Sequence, residues 1–239
     1  MKTLVVVPTY NEKDNIQVLV PELLQRFNSE VHVLVVDDNS PDGTGDIVRR
    51  LQQDLLSQPA NSERLHLLSR AGKQGLGKAY LAGFQWGLEK NYDAIVEMDA
   101  DFSHRPQDLS TILQDLVTAD FVVGSRYVAG GQTVNWGLFR KIISKGGSLY
   151  SRWILGYPVK DWTGGFNAWK SQVLRAIDLS SVRSEGYSFQ IELKYKALRK
   201  GFRGVESAIV FEDRRVGQSK MSLKIVLEAF YRVWLIRFY

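Results

Sequence analysis

Two aspartates stand one residue apart where an apolar run ends, in "DAIVEMDADFSHRP" (93–106). In an extended segment the side chains of residues i and i+2 project to the same side, so the carboxylates of Asp99 and Asp101 face one space. Two anions held that close repel each other unless a cation lies between them. Hard oxygen donors suit Mg²⁺ or Mn²⁺, which use one or two carboxylates and complete their shell with substrate phosphates. The other use of these residues is a capping turn, in which Asp101 and Ser103 satisfy the first amides of a helix starting near Pro106. Two more acidic positions fall at ends of apolar runs: Asp37–Asp38 in "VHVLVVDD" (31–38) and, less clearly placed, Asp161.

Cations are arranged to match. Arg126 follows the apolar run of "FVVGSRY" (121–127), and Arg214, Arg215 and Lys220 lie in "EDRRVGQSK" (212–220). Arginine grips phosphate through a planar fork and lysine acts as a point charge. A solvated basic loop is the plain alternative for 212–220. "GKQGLGKA" (72–79) sets Lys73 and Lys78 among three glycines, which suits a phosphate contact or an ordinary loop before a helix. Other chemistries are excluded. The chain has no cysteine, so thiolate nucleophiles, disulfides and zinc–thiolate sites are absent. No G-x-G-x-x-G follows the first apolar run, the first glycine being Gly43, and no Walker-type G-x-x-x-x-G-K-[ST] occurs. Of the three histidines, His32 and His66 lie inside strand-like runs and read as structural, whereas His104 lies beside the aspartates and reads as an orienting group.

Positioning these groups takes a sheet. The runs 3–8, 31–38, 64–69, 94–99 and 121–125 are short, continuous and rich in Val, Ile and Leu, as strands buried on both faces are. Segments 12–27, 43–57, 75–90 and 106–118 between them read as helices. Alternation of this kind predicts an α/β fold with a mostly parallel sheet covered on both faces, whose carboxyl edge is where ligands bind. Beyond 125 the pattern loosens. Residues 138–155 read as an amphipathic helix interrupted by Gly146–Gly147. Residues 163–170 and 204–213 read as strands flanking a helix near 187–200, and a last helix runs over about 221–238. The expected organisation is one domain over 1–239: a nucleotide half (1–125), an acceptor half (126–220) and a C-terminal amphipathic helix (221–239).

Length and charge are compatible with this. The 239 residues carry a net charge of +5, which fits an anionic small molecule, a membrane surface, nucleic acid or ordinary surface charge. No nucleic-acid motif is present, so nucleic acid is not expected as a partner. "MKTLVVVPTYNE" has too short an apolar run for a signal peptide, and no run is long enough to span a bilayer. A protein on the cytoplasmic side, soluble or peripheral to a membrane, is expected.

"VVVPTYNE", "VVDDNSPDGT", "GLGKAY", "MDADFSHRP", "GSRY", "TGGF" and "DRRVGQSK" occur in the order in which similar segments occur in polyprenyl-phosphate (dolichyl-phosphate) mannose synthases. These are family 2 glycosyltransferases with the GT-A fold, a Rossmann-like three-layer sandwich, and the resemblance covers about residues 3–222. It implies that Pro8, Tyr10 and Glu12 border a guanine nucleotide, with Val36 and Asp38 nearby. It implies that Asp99, Ala100 and Asp101 hold the nucleotide diphosphate and Mg²⁺ or Mn²⁺. Arg126, Arg214 and Lys220 would bind the phosphates of donor and acceptor. Some members carry Gln two residues after the second aspartate as a metal contact, and here that place is Ser103. The implied reaction is inverting transfer of mannose from GDP-mannose to a polyprenyl or dolichyl phosphate. The same transfer from UDP-glucose or another nucleotide sugar, and a non-catalytic nucleotide-sugar binder, are the alternatives.

A lipid acceptor needs an apolar landing surface. Residues 138–155 mix Phe139, Ile142, Ile143, Trp153 and Ile154 with Arg140, Lys141, Lys145 and Arg152, which suits a helix lying on anionic lipid or one packed on the core. The C-terminal helix is expected to set Lys224, Glu228 and Arg232 on one face and Leu223, Leu227, Phe230, Trp234 and Phe238 on another. Membrane spans, where the cell needs them, would come from a partner subunit or a further segment.

Overall fold

A computed structural model describes residues 1–56, 63–213 and the helix over 223–238, with side chains of that helix described from Phe230 onward. The first part alternates as expected: β1 (Thr3–Thr9), α1 (Lys13–Arg26), β2 (Val31–Asp37), α2 (Thr44–Leu56), β3 (Leu65–Ser69), α3 (Leu76–Glu89), β4 (Ala94–Glu97), α4 (Pro106–Thr118) and β5 (Phe121–Ser125). Then come β6 (Gln132–Val134), α5 (Leu138–Leu155), β7 (Asn167–Lys170), α6 (Ser171–Ala176), α7 (Gly186–Arg199), β8 (Gly204–Ala208), β9 (Val210–Glu212) and α8 (Leu223–Phe238).

Continuous apolar runs make central strands because both faces are covered. All seven residues of β1 are buried. Its odd and even side chains enter different layers. Leu4 and Val6, with Leu34, Val36 and Ile95, pack against Tyr80 and Phe84 of α3. Val5 and Val7, with Val33, Val35 and Val96, pack against Leu19 and Leu23 of α1 and Leu109, Ile112 and Leu116 of α4. Helix α3 comes unusually near the sheet because Gly83 faces Val6; a Cβ at Gly83 would lie 2.4 Å from a Val6 methyl.

The main sheet has the order β3-β2-β1-β4-β7-β5-β8. Every pairing in it is parallel except those of β7, which lies antiparallel between β4 and β5. The chain runs outward from β1 to β2 and β3 on one side and to β4 on the other. The β1/β4 boundary is thus the switch point where strand ends diverge and leave a crevice.

Three expectations change after residue 125. The strand read over 163–170 is confined to β7, because the backbone of 161–164 is engaged in a turn. The strand read over 204–213 is two strands in two sheets. Ile209 is the crossing point: its amide donates to Ser125 of the main sheet and its carbonyl accepts from Gln132 beside β6. Helix α5 is not interrupted at Gly146–Gly147. Each glycine costs a helix about 1 kcal/mol relative to alanine, which packing of the remaining turns offsets. Most of the large apolar residues of α5 face outward, and small residues face in. Ser144, Ser148, Ser151, Ile154 and Leu155 are buried. Leu138, Phe139, Ile142, Leu149 and Trp153 are exposed, Trp153 to 77%. In α8 the inward residues are Val233 and Ile236, which join Ile154, Leu155 and Trp162 in a third cluster. Phe230, Trp234 and Phe238, expected together on one face, are all exposed. The expected positions Leu223, Lys224, Leu227 and Glu228 precede the described side chains.

His32 and His66 are structural. They lie near the amino ends of β2 and β3, bonded to each other and to the Tyr92 hydroxyl, away from the carboxyl edge.

Candidate active site

A cavity of about 380 Å³ opens at the carboxyl edge over the β1/β4 switch point. Pro8, Tyr10, Glu12 and Asp38 line one side, Asp99, Ala100 and Asp101 another, and Arg126 the far side. Val36 does not line it: its side chain is fully buried in the layer under α3. Arg214, Arg215 and Lys220 lie outside the described residues.

The loops after β1 and β2 lock together. Asp37 accepts bonds from Thr9 Oγ1 (2.9 Å), Ser40 N (3.1 Å) and Ser40 Oγ (2.5 Å). The amides of Asn11, Glu12 and Lys13 donate to Ser40 Oγ, Thr44 Oγ1 and Asp42 Oδ2. Helix α1 has no side-chain cap of its own at Glu12, so the β2–α2 loop caps it from across the sheet edge. Two adjacent aspartates therefore do different work. Asp37 ties loops, while Asp38 reaches the cavity and pairs with Arg70 at 2.6 Å. Beside it Lys73 Nζ stands 4.3 Å from the centre of the Tyr10 ring, and both line the cavity. An aromatic face with a cation suits stacking of a planar base.

The turn after β4 is strained. Phe102 has φ of 60°, a region a bulky side chain enters only when its surroundings force it. Asp101 does not cap α4, which has no side-chain cap; its Oδ1 instead accepts the amide of Ser103 at 3.1 Å and closes its own turn. His104 is buried under that turn, stacked on Phe166. Its Nδ1 accepts the Asp99 amide at 2.9 Å, which assigns the ring proton to Nε2. Burial lowers its pKa, with Asp99 and Asp101 opposing. The Tyr80 hydroxyl donates to Asp99 Oδ1 at 2.8 Å, and burial, then the Asp99 charge, push its pKa well above the ordinary value.

Two carboxylates on one rigid turn, lining a cavity, are an all-oxygen donor set. Among the described residues no group of three or more His, Cys, Asp or Glu could hold a metal. That donor set fits Mg²⁺ or Mn²⁺ completed by phosphate oxygens and does not fit a closed protein cage.

On the far side Arg126 is committed to Asp161, with Nε–Oδ2 at 2.7 Å and Nη2–Oδ1 at 2.6 Å, and Nη2 also donates to Thr163 Oγ1 at 2.8 Å. Both partners are buried. Burial alone would raise the Asp161 carboxyl; the Arg126 guanidinium outweighs it and holds the carboxyl below its ordinary value. Asp161 is thus no third acidic ligand but the anchor of the arginine.

Sequence reading missed Trp136 and Arg140. Arg140, in the first turn of α5, lies 4.0 Å from the Trp136 ring centre and bonds Asp213 at 2.6 Å. Arg126 stands 5.3 Å from the same ring. Trp136 Nε1 and Arg140 Nε are buried without a hydrogen-bond partner in the cavity wall, donors still to be satisfied. "VNWGLFR" carries no spacing signal for this, because the two residues meet Arg126 only through the fold. Gln190 of α7, also in the wall, was missed too. Its Nε2 donates to Glu97 Oε2 and its Oε1 accepts Asn167 Nδ2. Burial raises the Glu97 pKa to about 7, opposed by the donors Gln190, Trp169 and Asn167 and by Lys194.

Comparison with known proteins agrees with this geometry. Residues 4–178 match the model of "Glycosyl transferase family 2". The chain is 46% identical over 239 residues to a polyprenol monophosphomannose synthase of Mycolicibacterium smegmatis, covering 99% of this chain and 88% of that one. It is 47% identical over 233 residues to an undecaprenyl-phosphate mannosyltransferase of Micrococcus luteus, covering 98% and 93%. Among solved structures, glucosyl-3-phosphoglycerate synthase from Mycobacterium tuberculosis, in complex with Mn²⁺, UDP and its product, superposes with a TM-score of 0.65 at 16% identity, covering 98% of this chain and 78% of that one. A mannosyltransferase from Pyrobaculum calidifontis in complex with GDP-Man and Mn²⁺ gives 0.58 at 18%, covering 99% and 72%. The fold is the GT-A fold.

Proposed function

The chain belongs to glycosyl transferase family 2, and on that premise we propose that it transfers mannose from GDP-mannose to a polyprenyl phosphate, forming the β-linked lipid phosphate sugar with Mg²⁺ or Mn²⁺ bound. What carries the reading is one cavity in which a two-carboxylate turn faces two guanidinium groups, the second at the root of a helix with an exposed apolar face. The names of its relatives supply the sugar and the class of acceptor.

The base would lie against Tyr10 and Lys73, with Asp38 beneath the ribose. Asp99 and Asp101 would hold the metal, with the backbone of Ala100 beneath the diphosphate. Bound there, the cation supplies Lewis-acid charge against the diphosphate oxygen that leaves sugar C1. Arg126 and Arg140 would hold the acceptor phosphate opposite it, and Arg214 and Lys220 would add charge from outside the described residues. Attack by a phosphate oxygen in line with the leaving group inverts C1 and gives a β-product from an α-donor. A phosphate monoester has a second pKa of about 6, so the acceptor is already ionised and needs no base. His104 is consistent with this, since its Nδ1 is occupied by the Asp99 amide.

Purified protein offered labelled GDP-mannose, Mg²⁺ or Mn²⁺ and polyprenyl phosphate is expected to put label into an organic-extractable product. Label from UDP-glucose alone would replace the donor, and no lipid product from either would overturn the reading.

Among the described residues no helix is long and apolar enough to cross a membrane. The apolar face of α5 lies beside Arg140, Lys141, Lys145 and Arg152, and a peripheral seat on an anionic, cytoplasmic leaflet is proposed for it. Trp153→Glu should weaken sedimentation with phosphatidylglycerol-containing vesicles about tenfold, since it removes a large apolar anchor and adds a repelled charge. Partition equal to that of the parent protein would count against this seat.

A further inference from the structure

Lys194 of α7 is fully buried, and its ammonium ends on backbone oxygens: Gly164 O at 2.7 Å, Trp162 O at 3.0 Å and Asp161 O at 3.4 Å. An ammonium has three donors, and three carbonyls use them all. Burial pushes its pKa down to about 8, opposed by Asp161 and Glu97, so it stays charged at neutral pH. None of its donors is left for a substrate. The turn it holds is the one that matters on the acceptor side. Asp161 holds Arg126 by its amide and by two guanidinium bonds, Thr163 accepts a further guanidinium bond, and Thr163 and Gly165 line the cavity. The same turn is gripped by its amides, since Lys160 N and Asp161 N donate to Glu206.

We infer that Lys194 is a positioning residue, a tethered monovalent cation that sets the 161–164 turn and through it the placement of Arg126 and Thr163 toward the acceptor phosphate. The inference rests on the acceptor reading above for its kinetic consequence, though not for its structural one. Helix α7 thereby links wall and turn: Gly186, Tyr187 and Gln190 at its start line the cavity, and Lys194 one turn later holds the neighbouring 161–164 turn. An apolar replacement would leave the Asp161 and Trp162 carbonyls buried without the donor that Lys194 supplies, and Gly164 O with Asn167 Nδ2 alone at 3.2 Å.

The test compares Lys194→Met, which keeps the packing of the stem, with Lys194→Ala, which opens a hole lined by the same carbonyls. For folded Lys194→Met, kcat/KM toward polyprenyl phosphate should fall about a hundredfold, as for a misplaced catalytic constellation, while GDP affinity stays within about twofold. In Lys194→Ala, ammonium or methylammonium chloride should restore transfer, and tetramethylammonium should not. A folded Lys194→Met that transfers at the parental rate would overturn the inference, as would equal losses in GDP and lipid phosphate affinity. Amide exchange over residues 160–167 gives a readout independent of activity: faster in Lys194→Ala, slowed again by ammonium. Unchanged exchange there would overturn the positioning role even if activity fell. If the parent protein makes no lipid product the acceptor reading fails, and the exchange measurement decides Lys194 alone.

Discussion

Asp101→Asn should lower sugar transfer by a factor of about a hundred to a thousand while leaving the melting temperature nearly unchanged. The substitution keeps an oxygen that accepts the Ser103 amide, so the strained turn at Phe102 survives. It removes one of the two negative charges that would hold the cation, and with it the charge stabilisation of the leaving diphosphate. Turnover at saturating Mn²⁺, a thermal melt, and electron paramagnetic resonance of Mn²⁺ in the presence of GDP separate the possibilities. Loss of turnover with weakened Mn²⁺ binding and an unchanged melt is the expected pattern. Near-parental turnover would remove Asp101 from the metal site.

Asp161→Asn should do the reverse and strike stability first. The Arg126–Asp161 pair is buried on both sides, with side chains exposed to only 4% and 0%. Removing one charge from such a pair strands the other, at a cost of about 3–5 kcal/mol. Urea unfolding of the single variant measures this. A double variant, Asp161→Leu with Arg126→Met, provides the control, since an apolar pair of similar volume often restores the stability of a buried ion pair. Recovery of stability without recovery of transfer would separate the two roles of Arg126, as a buried cation that must be neutralised and as a ligand of phosphate. A single variant as stable as its parent would mean that water reaches the pair and that the arginine is free to move.

Different physics governed the two halves of the sequence. Up to Ser125 each strand is a continuous apolar run and each helix a periodic one, so local pattern and burial agree. The carboxyl edge followed from this, and with it the common location of Tyr10, Asp38, Asp99, Asp101 and Arg126. The layer that the Val36 side chain enters was not legible, because a position near a strand end does not say which face it takes; one register step separates it from Asp37. Beyond Ser125 long-range bonds decide the backbone. The turn at 161–164 is dictated by Glu206, Lys194 and Arg126, none of them local to it. In α5 periodicity alone leaves two readings open, a helix lying on lipid or one packed on the core; its inward face is mostly serine and its largest apolar residues face outward. In the motif "DDNSPDGT" Asp38 reaches the cavity, while Asp37, Ser40, Asp42 and Thr44 hold the neighbouring loop, a long-range tie that no local spacing announces.

The antiparallel β7 lies between β4 and β5, although it follows both in the chain. During synthesis the ribosome therefore releases two strands that are not neighbours in the finished sheet, and their native partner arrives only when Asn167–Lys170 emerges. Unpaired edges of this kind are sites of aggregation. A nascent chain stalled before residue 167 is not a finished nucleotide-binding unit awaiting an acceptor module; it is a sheet with a missing stave. The order of translation thus bears on how this protein reaches its fold, because the turn that carries Asp99 and Asp101 into the cavity hangs from β4, one of the two strands left waiting.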